Sequence, residues 1–295
     1  MTVPELGRIG LWTSSLDTLP MAQAQRAVAT IESQGWGGLW FGEAYGREAM
    51  TAAQLYLAAT DRLVVATGIA SIYARDAVAT AGAARTLSAL SGNRFLLGLG
   101  VSHAPLVERM RGHSYGKPVQ AMREYLAAMD TAPYAVAGEE PPAPRVVAAL
   151  GPKMLEVARD HAQGAHPYLV TPKHTAQARE LLGPGPVLAV EQAVVLDEDL
   201  EEWERRAQWH LEIYTGLPNY RNSWLRQGFT EDDFVRGGSL ALKQGMVMRG
   251  MDQIQARVQE HLDAGASHVC LQVLGPDTFT APVDDWRELA GALLS

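Results

Sequence analysis

A chain of 295 residues, 47% of them hydrophobic, has ample length for one large core, and its composition makes no case for disorder. A formal net charge of −8 argues against a nucleic-acid surface, which needs clustered lysine and arginine. The lone cysteine excludes an internal disulfide framework, no apolar run is long enough to span a bilayer, and no signal peptide opens the chain, so a soluble cytoplasmic protein is expected.

Residues 8–13 predict a short first strand ending near Trp12. Residues 21–34 predict a helix with apolar positions at Ala24, Ala27, Val28 and Ile31, stopped by Gly35. A second strand over 38–43 and a third over 63–72 flank a helical segment at 48–60. The run 63–72 is apolar and β-branched, as a buried parallel strand requires. An alanine-rich helix over 76–90 starts at Asp76 and ends at Ser91-Gly92-Asn93, and a fourth strand follows at 94–101. Such a strand–helix–strand crossover makes its two strands parallel.

The alternation continues with a helix at 119–130, a surface loop at 138–144, a strand at 145–150 and a helix at 154–163. Then come a strand at 164–170, a helix at 174–182, a Gly-Pro turn at 183–186 and a strand at 187–196. The acidic run 197–202 begins a long helix to about Tyr214, where carboxylates suit a helix N-terminus better than a metal. Residues 216–250 read as an irregular, aromatic insertion ahead of the last helix–strand pair, expected to be a lid or an oligomer contact. An amphipathic helix at 252–264, a strand at 268–274 holding a buried Cys270, and a helix at 284–294 complete the chain. Eight strands separated by helices predict an α/β fold, a single (β/α)8 TIM barrel spanning 1–295. Gly98-Leu99-Gly100 is no dinucleotide fingerprint, because His103 stands where the third glycine belongs.

Several stretches carry a family resemblance. They are Gly38-Leu39-Trp40-Phe41-Gly42-Glu43-Ala44, Thr67-Gly68-Ile69, the run from Thr86 through Phe95, Leu97-Gly98-Leu99-Gly100-Val101, Gly164-Ala165-His166-Pro167-Tyr168-Leu169, and the run from Leu262 through Val269. In this order they resemble the bacterial luciferase-like superfamily, and most nearly its branch that uses the deazaflavin coenzyme F420. The resemblance implies a single-domain barrel and an oxidoreductase that exchanges a hydride between F420 and a small organic substrate. It implies a non-prolyl cis peptide at Gly68–Ile69 that backs the cofactor ring. Cofactor contacts are expected from Gly68, Ile69, Val101, Ser102, His103, His166, Pro167, Tyr168 and Leu169, and a homodimer is expected.

A barrel builds its site just past the carboxyl ends of its strands, so Trp12 belongs to the substrate pocket. Glu43 and His103 are the readily titratable side chains at those ends. Hydride transfer also moves a proton, which makes the pair a candidate relay. His103 needs no tuning for that task, whereas Glu43 would need burial to raise its pKa. By the resemblance, Glu43 falls where some members carry a catalytic histidine. His103 falls where deazaflavin-dependent sugar-phosphate dehydrogenases carry a glutamate acid. The two departures are complementary and put the sugar-phosphate substrate class in doubt. Backbone N–H groups at 166–169 and near Gly151 suit the cofactor phosphate, and Lys153 and Lys173 an anionic tail. The scattered histidines, without an HExxH pair, predict no metal site. An FMN-dependent monooxygenase and a non-catalytic cofactor-binding barrel are the alternative readings.

Overall fold

The computed structural model describes residues 2–137, 140–277 and 279–294, so Gly138 and Glu139 of the expected 138–144 loop lie outside the described residues. Among the described residues, eight parallel staves close into a barrel. They are β1 (Ile9–Trp12), β2 (Gly38–Phe41), β3 (Val64–Thr67) with its continuation β4 (Ala70–Ser71), β5 (Phe95–Gly100), β6 (Arg145–Val147), β7 (Gly164–Ala165), β8 (Val187–Val195) and, after a short extra strand β9 (Val247–Arg249), β10 (His268–Val273). Closure comes from β10, which pairs with β1 (Ile9 opposite Val269) and with β8 (His268 opposite Ala189). Nearly every stave residue is buried, because side chains pack inward on the barrel axis and outward on the helices.

Helices α1 (Met21–Ser33), α2 (Ala49–Ala58), α3 (Ala77–Leu90), α4 (Pro118–Asp130), α5 (Pro152–His161) and α6 (Pro172–Leu182) wrap the outside. They are followed by α7 (Leu200–Leu211), α8 (Pro218–Gln227), α9 (Leu240–Met246), α10 (Gly250–Asp263) and α11 (Val283–Leu293). Their starts are marked in the sequence. The Asp76 carboxylate accepts the Ala79 N–H at 2.8 Å, Asp199 accepts that of Glu202 at 2.9 Å, and proline occupies the first turn of α4, α5, α6 and α8. Ala24, Ala27, Val28 and Ile31 of α1 face the main core as their spacing requires. A second cluster fills the barrel axis with Trp40, Ala66, Leu96, Val146, Ala189 and Cys270.

Three expectations need correction. The run 63–72 is two short strands that part at Gly68–Ile69. There the Thr67 hydroxyl donates to the Gly98 carbonyl (2.7 Å) and accepts the Gly98 N–H (2.8 Å), replacing the ladder. A Cβ on Gly98 would collide with the Thr67 carbonyl oxygen, so the close approach needs glycine. The run 164–170 pairs only over Gly164–Ala165, and by Leu169 the backbone has turned to a positive φ of 53°. The segment 216–250 is not irregular. It holds α8, α9 and β9, and buries Tyr220, Trp224, Phe234 and Leu242 against Trp203 and Leu211 of α7.

Candidate active site at the carboxyl end of the barrel

Past the carboxyl ends of the staves lies a cavity of about 610 Å3, within the range of small-molecule sites. Its floor is made of Gly68, Ile69, Gly100 and His166, with Trp12 beside them. The Gly68–Ile69 peptide bond is cis. The Trp12 indole N–H donates to the Gly68 carbonyl at 2.8 Å. A Cβ on Gly68 would press on both the Trp12 and His166 rings, so only glycine fits between them.

His166 is fully buried and stacks on Trp40, ring centroids 4.4 Å apart and 13° from parallel. Its Nδ1 lies 2.9 Å from the Ala189 carbonyl, and a carbonyl only accepts, so Nδ1 carries the proton. Burial pushes the pKa down to about 4, so the ring is neutral at physiological pH. The Nε2 lone pair is therefore a buried acceptor against Gly68 at the cavity floor, and it has no partner among the described residues. Deeper in the barrel His268 repeats the pattern. Its Nδ1 donates to the Gly7 carbonyl at 2.8 Å, and its Nε2 accepts the Trp40 indole N–H at 3.1 Å.

One wall is Val101, Ser102 and His103, with the Tyr115 hydroxyl donating to the Ser102 carbonyl at 3.2 Å and Ser102 itself at a positive φ of 55°. Burial lowers the His103 pKa below its ordinary value, and its ring lies 5.8 Å from that of Tyr220. The adjoining wall is α8, which presents Asn219, Tyr220, Asn222 and Arg226. Residues 150–153 form the rim where α5 begins, and the Arg226 guanidinium donates to the Leu150 carbonyl there at 3.1 Å. Lys153 lines this rim, but the Lys173 ammonium is engaged outside the cavity, donating to the Gln227 carbonyl at 3.3 Å.

The candidate residues thus divide. Trp12, Glu43, Gly68, Ile69, Val101, Ser102, His103, His166 and Tyr168 line the cavity; Pro167 and Leu169 lie behind it. The Leu169 N–H donates to Glu191 Oε2 at 3.0 Å, and its carbonyl accepts the Trp224 indole N–H at 3.0 Å. Glu43 is near the cavity but fully committed. Its carboxylate pairs with Arg75 and accepts the Ser71 and Ala49 N–H groups at 2.9 and 3.2 Å, with 4% of the side chain exposed. That set pins the loop after β2 to β4 and α2.

A family model for luciferase-like monooxygenases matches residues 7–267. The chain belongs to the luciferase-like monooxygenase family. One relative is a Mycobacterium tuberculosis protein named provisionally as a coenzyme F420-dependent oxidoreductase, 34% identical over 119 residues, 40% of this chain and 34% of the relative. The match therefore spans about a third of that relative's length. The 5,10-methylenetetrahydromethanopterin reductase of Methanolobus tindarius is 25% identical over 92% of this chain and 97% of its own. Among solved structures, an F420-dependent secondary alcohol dehydrogenase in complex with an F420–acetone adduct superposes with a TM-score of 0.74 at 14% identity, covering 97% of this chain and 98% of that one. The FMN-bound oxygenating constituent of 3,6-diketocamphane monooxygenase from Pseudomonas putida gives 0.69 at 13% identity, covering 97% and 96%.

The luciferase-like chain also has site residues that its sequence left unmarked. Tyr214 stands where the helix begun at 197–202 is expected to end, and Asn219, Tyr220, Asn222 and Arg226 come from a stretch that reads as irregular, although Pro218 and the spacing of 219, 222 and 226 are helical signals. Glu191 is fully buried in β8, and burial raises its carboxyl pKa to about 8. Its signal was a polar pair, Glu191-Gln192, in an otherwise apolar run. Among the described residues no group of three or more His, Cys, Asp or Glu side chains is placed to hold a metal, and no helix is long and apolar enough to cross a membrane.

Proposed function

We propose that this luciferase-like chain is an oxidoreductase that moves a hydride between a deazaflavin of the F420 type and a small organic substrate, and that it works as a homodimer in the cytoplasm. The observation that carries the reading is the unpartnered His166 Nε2, buried against Gly68 beneath the floor of Gly68 and Gly100. It is a buried acceptor awaiting a ring N–H, in a cavity whose other end is cationic. One relative and one solved structure of the same fold that are named for F420 support the choice of ring. His166, Gly68 and Ile69 would hold the ring, the wall from Val101 to His103 would flank it, and Lys153, Arg226 and the start of α5 would meet an anionic tail.

The deazaflavin supplies a ring carbon that accepts or gives up a hydride. A hydride and a proton leave the substrate on oxidation and return on reduction, so the chain must carry one proton. We assign that to an imidazole nitrogen of His103, which is neutral and faces the cavity. Glu43, held by Arg75 and two backbone N–H groups, is assigned to anchoring rather than to a relay. Trp12, Tyr168 and α8 exclude water from the reacting atoms.

FMN is the second reading, favoured by the fold shared with an FMN-bound monooxygenase, and a flavin ring offers the same N–H to His166. Fluorescence titration with oxidised F420, FMN and a nicotinamide dinucleotide separates the two. Tightest binding of F420 is expected; preference for FMN would put the monooxygenase first. Light scattering across a concentration series tests the homodimer.

A further inference from the structure

The cavity changes character along α8. Arg226, at its carboxyl-terminal end, sits by the rim with Lys153. Six residues earlier, about 9 Å along a helix, Tyr220 begins a wall of rings. Tyr220 and Tyr214 meet edge to face with centroids 4.7 Å apart, Tyr214 and Tyr168 lie 5.6 Å apart, and Tyr168 and Trp12 5.4 Å apart. Nothing on this wall is charged. The Tyr168 and Tyr214 hydroxyls lie above their ordinary pKa through burial, that of Tyr214 at about 12, so both keep their protons. His210, against Tyr168, is neutral because burial lowers it to about 4. The nearby Glu43 carboxylate is spent on Arg75.

The hydroxyls are also accounted for, with one exception. Tyr168 donates to Gln272 Oε1 at 2.6 Å, and Tyr214 donates to the Tyr168 oxygen at 3.4 Å. The Tyr220 hydroxyl makes no hydrogen bond among the described residues, and its ring lies beside His103. A phosphate or carboxylate seated on this wall would lose its water without gaining a counter-charge, a large cost. A flat apolar frame would lose nothing polar, and one oxygen would find a donor at Tyr220 within reach of the proton carrier.

We propose that the substrate is an uncharged molecule, one carbonyl or hydroxyl oxygen on a flat apolar frame, which lays its frame on Trp12, Tyr168 and Tyr214 and its oxygen on the Tyr220 hydroxyl. This rests on the hydride-transfer reading for its chemistry, but the charge preference is measurable apart from it.

Two compounds of the same frame test it: acetophenone, and 4-acetylbenzoate, which adds one carboxylate. F420 is titrated first by its fluorescence, and each compound is then titrated calorimetrically into the loaded protein. Acetophenone should bind at least tenfold more tightly than 4-acetylbenzoate. Tyr220→Phe, which keeps the ring, should weaken acetophenone about 5–10-fold, the value of one hydrogen bond. Ile213→Lys places a cation on the cavity edge at a residue 61% exposed, where folding is not at risk, and should improve 4-acetylbenzoate binding at least fivefold. Equal or tighter binding of 4-acetylbenzoate by the unmodified protein, no binding of acetophenone, or no effect of Tyr220→Phe overturns the proposal. Failure of F420 to bind refutes the cofactor reading instead, and the two compounds are then compared on the protein alone by the same criteria.

Discussion

Glu191→Gln should remove one loss of stability at alkaline pH and so reverse the ranking of variant and parent between pH 5 and pH 8. Glu191 is fully buried, with Oε2 accepting the Leu169 N–H at 3.0 Å and Oε1 unpartnered. Burial raises its pKa from 4.5 to about 8 in the folded protein. Between those values the native state holds a proton that the unfolded chain has released, so stability falls as pH rises through that window and levels off above it. At about 1.4 kcal/mol per pH unit, the loss between pH 5 and pH 8 is on the order of 4 kcal/mol. Glutamine keeps an oxygen for Leu169 and cannot ionise, but buries an unpartnered amide N–H at a roughly constant cost of about 1–3 kcal/mol. The variant should therefore be less stable than the parent at pH 5 and more stable at pH 8. Urea unfolding of both proteins at pH 5, 6.5 and 8 measures the difference. The buried histidines, lowered to about 4 or below, contribute equally to both proteins and cancel. A difference that stays flat within about 1 kcal/mol across the series would show that Glu191 is not a neutral acid in the folded state.

His166→Phe keeps the stack on Trp40 and removes the floor acceptor, so F420 affinity by fluorescence titration should drop about tenfold while the melting temperature holds within a few degrees; full affinity would refute the ring-anchor role. His103→Gln should lower kcat at least a hundredfold while F420 affinity, to which His103 contributes one contact of several, falls no more than a few-fold. Because burial lowers the His103 pKa, the acid limb of the parent's pH–rate profile for substrate oxidation should fall below the usual histidine range. Glu43→Gln removes one of the two carboxylates on Arg75, which keeps Glu48, and should cost about 2 kcal/mol in chemical denaturation; a loss of turnover without a loss of stability would return Glu43 to the relay. Limited proteolysis within 216–250 should slow when F420 and acetophenone are both present if the segment is a lid, and should slow with protein concentration alone if it is a subunit contact.

What the sequence disclosed follows from what was repeated in it. Staves such as 187–196 and 268–274 are buried on both faces, so their apolar runs are plain, and the cadence of strand and helix counts the barrel. The segment 216–250 was illegible for the opposite reason. Its helices have ten and seven residues, too short for a sustained period, and their apolar face is split between Tyr220, Trp224 and Leu242, which meet only in the folded cluster. Glu43 was visible as a titratable residue at a strand end, but the partner that commits it, Arg75, lies 32 residues away. Position at a strand end marks a residue as near the site, and only its partners decide whether it is free to act.

His166 illustrates the converse. In the sequence it is one histidine of eight, set apart only by the resemblance around Gly164 and Leu169. Its chemistry is set by two contacts from distant elements. The Ala189 carbonyl of β8 fixes the proton on Nδ1, and Trp40 of β2 covers one ring face and keeps water away. Burial then holds the ring neutral until the pH nears 4, so the Nε2 lone pair is available across the whole range in which the protein is expected to work. A surface histidine would become a donor near pH 6.5 and repel the same ring N–H. The barrel therefore fixes the tautomer, charge and direction of this acceptor before any ligand arrives, which is the preorganisation a binding floor requires.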